Sequence, residues 1–377
     1  MKALVTMLIA ALFFAAFGCG KNGSGDSTLD AGVVNTDADS DADSDLDADT
    51  ESDLEVPATC PAAIVPPCKK KLHNLSLWIE AIDFGENIRF VSMKDGAILA
   101  EKENADGNEI LLIVIDIEHA YVDWTISTVE QPHSASLRAV SLTMRKDYFS
   151  DHVEAYFALL CGDDECAVYQ SEASSREESP LVLLSKAPPL AEPRGLHATD
   201  DEGLLLFGNG VWNYDGEWMR EIEALSGARI NALVTDRAVA DEGRIFEKKP
   251  EGWQEMLSGT EEDLLTVTAV YIGGTDGRLG KWRGESVDWF GLANEPILHV
   301  ASSLSGWPFG VTSSGCAFRD LDSFDSDAKD SFCILGIVPE KPIEAVVWHC
   351  ADATNLLVLT EYGVYAWNSG PDCFTYI

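Results

Sequence analysis

Gly210-Val-Trp-Asn-Tyr-Asp-Gly216-Glu-Trp218 is the stretch of this 377-residue sequence that decides the fold. The same order of glycine, alternating apolar residues and aromatic residue returns at Gly243, Gly277 and Gly363, with a weaker copy at Gly315. The first three glycines are 33 and 34 residues apart. A fixed period in this range indicates stacked supersecondary units.

Each unit carries an apolar run typical of a β-strand upstream of its glycine. The runs cover residues 204–207, 230–235, 264–272, 297–301 and 343–348. The glycine then begins a further strand, a second glycine makes a turn, and an aromatic residue starts an outer strand. Because Trp218, Trp253 and Trp289 recur with nearly the same period, we expect them to pack within these units.

Four short strands per unit, with no helix-length periodic segment between them, predict an all-β protein. They favour a β-propeller over a solenoid. At roughly 44 residues per blade, residues 72–377 would form seven four-stranded blades, with six or eight also open. Copies of the unit in residues 72–195 are degenerate.

The repeats resemble those of bacterial propellers whose blades end in an aromatic-x-Gly turn followed by Trp, and they are distantly similar to the Asp-box repeats of sialidases. The resemblance covers residues 196–377 well. Asp215-Gly216-Glu-Trp218 and Asp276-Gly277 keep the Asp and Gly of an Asp-box but lose its spacing. This departure weakens any transfer of sialidase activity to the chain.

The first 59 residues predict a location. A lysine at position 2, an apolar run at 3–17 and a small residue before Cys19 are typical of a secretory signal peptide, residues 1–18. Ala16-Phe17-Gly18-Cys19 resembles the lipobox of bacterial lipoproteins, although Leu is commoner at the first position. The resemblance implies acylation of Cys19; ordinary secretion with an incidental cysteine is the alternative. Gly20, directly after Cys19, favours attachment to the outer membrane. The sequence does not decide between its periplasmic face and its cell-surface face.

Residues 19–59 form an acidic segment that contains Asp at every second position from 37 to 49. Such a segment buries too little apolar surface to fold, so we expect a disordered linker ahead of a propeller domain at 60–377. A calcium loop would also need Gly at its sixth and Glu at its twelfth position, and no register supplies both.

The net charge is −38, with 64 acidic against 26 basic residues. Nucleic acid and anionic lipid are therefore unsuitable partners. Attachment to a membrane would depend on acyl chains on Cys19. The remaining classes of partner are a protein or a glycan, and the sequence does not identify it.

The nine cysteines indicate an oxidising compartment. Without Cys19, eight remain for four disulfides. Proximity in the sequence favours the pairs Cys60–Cys68, Cys161–Cys166, Cys316–Cys333 and Cys350–Cys373. The absence of Cys-x-x-Cys gives no support to redox chemistry or a zinc site.

Two groups of residues are candidates for a site. His197, Asn231, Thr268 and His299 fall at corresponding places near the start of successive units and would line the central channel. They would either bind a ligand or hydrogen-bond one another and channel water. The second group is an acidic loop that could bind calcium or be a solvated insertion; its members are Asp320, Asp322, Asp325, Asp327 and Asp330. No other cofactor is predicted.

Catalytic motifs with short spacing, such as Gly-x-Ser-x-Gly or His-Glu-x-x-His, are missing. A sialidase-like site would need converging arginines, and nothing in the sequence brings any three together. The leading hypothesis is a non-enzymatic binding or scaffold protein of the bacterial envelope. The alternatives are a glycan-acting hydrolase or lyase with its site at the channel mouth, and an outer-membrane assembly factor.

Overall fold

The structure is a computed structural model. It describes residues 60, 73–74, 88–94, 96–104, 107–118, 121–128, 137–146, 153–172, 180–188, 192–199, 203–221, 229–257, 262–302, 308–320, 332–338, 340–350 and 353–368. The predicted signal peptide, Cys19 and the acidic linker lie outside these residues. No helix of the described part is long and apolar enough to cross a membrane, and its one helical element is a 3-10 turn, Asp241–Gly243.

The described residues form 28 strands in seven antiparallel four-stranded sheets. The strands are β1 (His73–Asn74), β2 (Ile88–Lys94), β3 (Ala97–Asn104), β4 (Gly107–Glu118), β5 (Tyr121–Thr128), β6 (Arg138–Lys146), β7 (Val153–Cys161), β8 (Cys166–Glu172), β9 (Val182–Lys186), β10 (Gly195–Ala198), β11 (Leu204–Gly208), β12 (Gly210–Tyr214), β13 (Trp218–Glu221), β14 (Ile230–Val234), β15 (Arg237–Ala240), β16 (Ile245–Lys249), β17 (Gly252–Leu257), β18 (Leu264–Val267), β19 (Tyr271–Gly274), β20 (Arg278–Trp282), β21 (Val287–Gly291), β22 (Ile297–Ser302), β23 (Pro308–Thr312), β24 (Cys316–Asp320), β25 (Phe332–Ile337), β26 (Pro342–Cys350), β27 (Ala353–Thr360) and β28 (Val364–Asn368).

Each sheet is one blade of a propeller. Blades 1 to 6 are β2–β5, β6–β9, β10–β13, β14–β17, β18–β21 and β22–β25, and blade 7 is β26, β27, β28 and β1. The first strand of every blade contacts the first strands of the blades on either side, and β26 contacts β2 to close the ring. These seven inner strands therefore surround a central channel. The predicted seven-bladed β-propeller is confirmed.

The last blade is completed by the start of the domain. His73 and Asn74 of β1 pair antiparallel with Ala366 and Tyr365 of β28, as the outermost strand of blade 7. The sequence did not predict this closure, because β1 is two residues long and carries no apolar alternation.

The repeated glycines have a physical cause at the turn between the second and third strands of a blade. Gly277 and Gly315 both have positive φ, at 74° and 88°, where glycine is favoured. A Cβ on Gly277 would overlap the carbonyl oxygen of Ala293, and one on Gly315 would overlap that of Val338. The connection to the next blade thus crosses directly over the turn.

The periodic tryptophans are packing residues, as predicted, but they pack where adjacent blades meet and not within one unit. Trp253 is 3% exposed and lies in a core shared by blades 3 and 4. Its indole N–H donates to Glu221 Oε2 of blade 3 at 2.9 Å. Trp218 likewise donates to Ser185 Oγ of blade 2 at 3.1 Å. The tryptophans therefore join each outer strand to the blade before it.

The disulfides differ in part from the predicted pairs. Cys161 and Cys166 are bonded and lie directly opposite each other across β7 and β8, the same pair that the sequence favours. Cys60, however, is bonded to Cys316, with their Cα atoms 5.7 Å apart. The predicted Cys60–Cys68 and Cys316–Cys333 pairs are therefore wrong.

The strand register explains the second error. Across β24 and β25, Cys333 lies opposite Arg319, whereas Cys316 lies opposite Ile337. Three residues of extended strand separate the two cysteines by about 10 Å, which is beyond disulfide reach. Of the pair Cys350–Cys373, the second residue lies outside the described part of the chain.

Candidate functional site: the central channel

The inner strands share one irregularity that determines which side chains face the neighbouring blade. A bulge interrupts the pairing of the inner strand in six blades, for example between Phe90 and Ser92 in blade 1 and between Pro342 and Glu344 in blade 7. We name the residue after the bulge, and its equivalent in the unbulged blade 3, the acceptor position. From blade 1 to blade 7 it holds Ser92, Ser141, Gly195, Ala232, Thr266, His299 and Glu344.

Hydroxyls at the acceptor position bind the backbone of the next blade. Ser92 Oγ accepts the N–H of Leu142 at 3.1 Å, and Ser141 Oγ accepts that of Leu196 at 3.3 Å. Thr266 Oγ1 accepts the N–H of Val300 at 3.1 Å. In each case the donor is the residue after the acceptor position of its own blade, so one contact recurs around the channel.

Blade 7 makes the same contact with a carboxylate. Glu344 Oε2 accepts the N–H of Met93 and the hydroxyl of Ser92, both at 2.8 Å. Its Oε1 lies 2.9 Å from Lys94 Nζ, and the two side chains are 18% and 39% exposed. Burial alone would raise the pKa of Glu344, but the Lys94 charge and these hydrogen bonds outweigh it and lower the pKa. Glu344 is therefore ionised at neutral pH.

Two channel histidines are electrically coupled to this ion pair. Burial, and to a smaller extent the Lys94 charge, lowers the pKa of His197 to about 4. Burial also lowers the pKa of His299 to about 4, with the Glu344 charge acting against the shift and Lys94 reinforcing it. Both residues are half-buried, as expected for residues that line a narrow channel. Neither changes its charge near neutral pH.

The four polar residues that the sequence aligned lie on or beside inner strands, but not at one level. His197 and Thr268 are both two residues beyond the acceptor position, His299 is at it, and Asn231 lies one residue before it. The four residues therefore do not occupy equivalent positions, since their places relative to the acceptor position differ by up to three residues.

Three of the four side chains are used to connect blades. His197 Nε2 shares a hydrogen bond with Thr235 Oγ1 at 3.1 Å, and Thr268 Oγ1 accepts one from Ser302 at 3.0 Å. Asn231 Nδ2 donates to the carbonyl of Leu264 at 2.8 Å. Within the described residues no hydrogen bond joins the four to one another.

The predicted calcium loop falls mostly outside the described residues. Asp320 is described, as the last residue of β24, and is 3% exposed. Asp322, Asp325, Asp327 and Asp330 lie outside. The described ranges hold no group of three or more His, Cys, Asp or Glu side chains that could bind a metal ion.

Sequence reasoning missed Lys94 and Glu344. The available signal was a charged residue inside an otherwise apolar inner strand, as in Pro342-Ile-Glu-Ala-Val and Val91-Ser-Met-Lys94. Their meeting could not be read from the sequence, because 249 residues separate them and only closure of the ring brings blade 7 against blade 1.

Comparison with known proteins identifies the fold and no family. No family model and no curated protein matches the chain. A solved structure titled "YCF48 bound to D1 peptide" is similar, with a TM-score of 0.52, 11% identity and coverage of 83% of this chain and 99% of that chain. A second, "Structure of U3-55K", has a TM-score of 0.51, 11% identity and coverage of 80% and 99%. At this identity the likeness concerns the fold alone.

Proposed function

We propose that the chain is a non-enzymatic binding or scaffold protein of the bacterial envelope, anchored through acyl chains on Cys19. The observation that carries this proposal is the set of inter-blade hydrogen bonds around the channel. Polar groups that could supply channel chemistry hold blades together instead, namely Ser92, Ser141, Thr266 and Glu344. A rigid frame of this kind suits the presentation of a surface to a partner.

The charge states of the channel also favour binding over proton transfer. A general acid or base works best with a pKa near the working pH. The two histidines are neutral at pH 7 and Glu344 is ionised and paired. Propellers of the same fold include one whose title records a bound peptide, which is compatible with this role.

Partner binding can be tested in intact cells with an amine-reactive cross-linker and an affinity-tagged full chain. We expect a cross-linked complex of fixed composition, recovered in stoichiometric amount. Purified full chain should also release no sugar from isolated envelope glycans. A chain that stays uncross-linked, or one that releases new reducing ends, would contradict the proposal.

The anchor is tested by the variant Cys19→Ala, with Ser24→Ala in the same predicted linker as the control. Acyl chains bind the membrane through buried CH₂ groups, so their loss should move the chain from the membrane pellet to the soluble fraction. The control should stay in the pellet. If Cys19→Ala also stays in the pellet, acylation of Cys19 is not the anchor. Separately, an impermeant biotin reagent applied to intact cells would show whether the propeller lies on the outer or the inner side of the outer membrane.

A further inference from the structure

Five basic side chains lie on the channel rim where the inner strands begin. In order around the ring they are Lys341 of blade 7, Arg89 of blade 1, Arg138 of blade 2, Arg194 of blade 3 and Arg229 of blade 4. Four of them are three residues before the acceptor position, and Arg194 is one residue before it. We name this set the basic arc. It spans five consecutive blades of a chain that has 64 acidic and only 26 basic residues.

One carboxylate of the chain itself already lies between two members of the basic arc. Glu101 is 3% exposed, and its Oε2 lies 2.5 Å from Arg89 Nη2 and 3.4 Å from Arg138 Nη1. Its Oε1 accepts the N–H of Ala139 at 2.6 Å. A carboxylate between guanidinium groups of neighbouring blades is therefore a geometry that this rim accommodates.

The next two gaps in the arc hold no equivalent carboxylate. The residue that pairs with Arg138 across the sheet is Cys161, which is used in a disulfide. Arg194 donates to the amide oxygen of Asn231, a neutral partner. Neither Arg194 nor Arg229 has a carboxylate within 4 Å among the described residues, and both side chains are exposed.

The two acids that act electrostatically on Arg194 already have other hydrogen-bond donors. Asp241 accepts a hydrogen bond from Asn231 Nδ2 at 2.8 Å, and Asp263 accepts a backbone N–H at 3.0 Å. Both act on Arg194 only through longer-range electrostatic attraction. Burial and the adjacent charge of Arg229 lower the pKa of Arg194, which still stays protonated at any physiological pH. Two like charges at close range would be stabilised by an anion between them.

We propose that the basic arc binds a short carboxylate-rich segment of a partner protein. Its carboxylates would occupy the gaps between Arg138, Arg194 and Arg229 in the way that Glu101 occupies the gap between Arg89 and Arg138. The proposal rests on the binding role proposed above and names the chemistry of the partner.

The charge of the chain limits the length of that segment. A net charge of −38 repels a long polyanion, so the proposed segment is a short one that contacts only the basic arc. The buried Glu101 is the guide to chemistry, because one of its carboxylate oxygens already lies between the guanidinium groups of two neighbouring blades.

The test measures binding of fluorescein-labelled hexaglutamate to the purified full chain by fluorescence anisotropy at low salt. Labelled hexaglutamine is the neutral control. Unlabelled oligogalacturonate of six residues and inorganic phosphate are added as competitors. We expect hexaglutamate to bind and hexaglutamine not to bind, with affinity that falls as salt is raised. If the competition shows that oligogalacturonate binds more tightly than hexaglutamate, the choice of a protein partner is overturned.

The variants locate the site. Arg194→Gln combined with Arg229→Gln should weaken hexaglutamate binding at least tenfold. The single change Arg229→Gln should weaken it about threefold and leave the fold intact, because the side chain is exposed. Arg283→Gln removes the same charge from the opposite rim, in the turn after β20, and should change affinity less than twofold.

Equal losses in Arg229→Gln and Arg283→Gln would overturn the proposal, since only the total charge would then matter. Absence of any hexaglutamate binding would overturn it as well. The cross-linked complex in cells separates the two proposals. If that complex forms unchanged in the double variant, the chain is a binding protein whose partner does not use the arc.

Discussion

The junction between blades 7 and 1 and the junction between blades 5 and 6 make the same contact with different chemistry. In one, Glu344 accepts the N–H of Met93 at 2.8 Å; in the other, Thr266 accepts the N–H of Val300 at 3.1 Å. A hydroxyl is enough to satisfy this backbone group. The carboxylate does more, because it also binds Lys94 and Ser92.

The difference shows how the closing junction becomes dependent on its neighbours. Ser92 donates to Glu344 and accepts the N–H of Leu142, so one relay of hydrogen bonds connects blades 7, 1 and 2. A neutral hydroxyl needs no countercharge. A largely buried carboxylate does, and its loss leaves several groups without a partner.

The change Glu344→Ala should have the largest effect. It leaves the N–H of Met93, the hydroxyl of Ser92 and the ammonium of Lys94 without their shared acceptor, which we expect to cost about 3 kcal/mol of the free energy of unfolding. Guanidinium chloride unfolding of the full chain measures it. Glu285→Ala, at an exposed glutamate, is the control and should change the value by less than about 0.5 kcal/mol. A loss below about 1 kcal/mol for Glu344→Ala would mean that the two junctions are equivalent.

Acid should weaken the channel next. The pKa of each histidine, about 4 in the folded state, is below its value near 6.5 in the unfolded state. On acidification the unfolded chain therefore binds these protons first, and the free energy of unfolding falls as the pH drops from 6.5 towards 4, by about 2 kcal/mol for the two histidines together over the first pH unit. The variant His197→Gln with His299→Gln should show a smaller fall over the same range. If the free energy of unfolding falls with pH by the same amount in the wild-type chain and in the double variant, the histidines are not the cause of the fall.

The change Thr266→Val should have the smallest effect, about 1 kcal/mol, because it leaves a single N–H unsatisfied while preserving side-chain shape. Thr266→Ser keeps the hydroxyl and should lose less than half of that amount. Denaturant unfolding again supplies the measurement. If Thr266→Val costs as much as Glu344→Ala, the carboxylate contributes nothing beyond the backbone contact, and the comparison fails.

The blades were predictable from the sequence because their causes are local. A glycine is needed at Gly277, where the connection to the next blade leaves no room for a Cβ, and the same holds at Gly315 in the following blade. The tryptophans recur because each contacts the blade before it. Local requirements leave a period in the sequence, and the period indicates the fold.

The channel was less predictable because its contacts cross between blades. The bulges move residues by one position within the inner strands, and no sequence feature marked them. The pairing of Lys94 with Glu344 and that of Cys60 with Cys316 both join distant parts of the chain. Proximity in sequence, which worked for Cys161 and Cys166, is no guide to such pairs.

The bond between Cys60 and Cys316 also determines how the propeller would respond to mechanical force. Cys60 precedes β1 in the chain, so tension applied upstream of it enters blade 6 through a covalent bond. The two-residue strand β1, whose few hydrogen bonds could be peeled one after another, would carry none of that tension. A propeller pulled from its N-terminal side would therefore resist as an intact ring, with the load passing through blade 6 instead of through the outermost strand of blade 7.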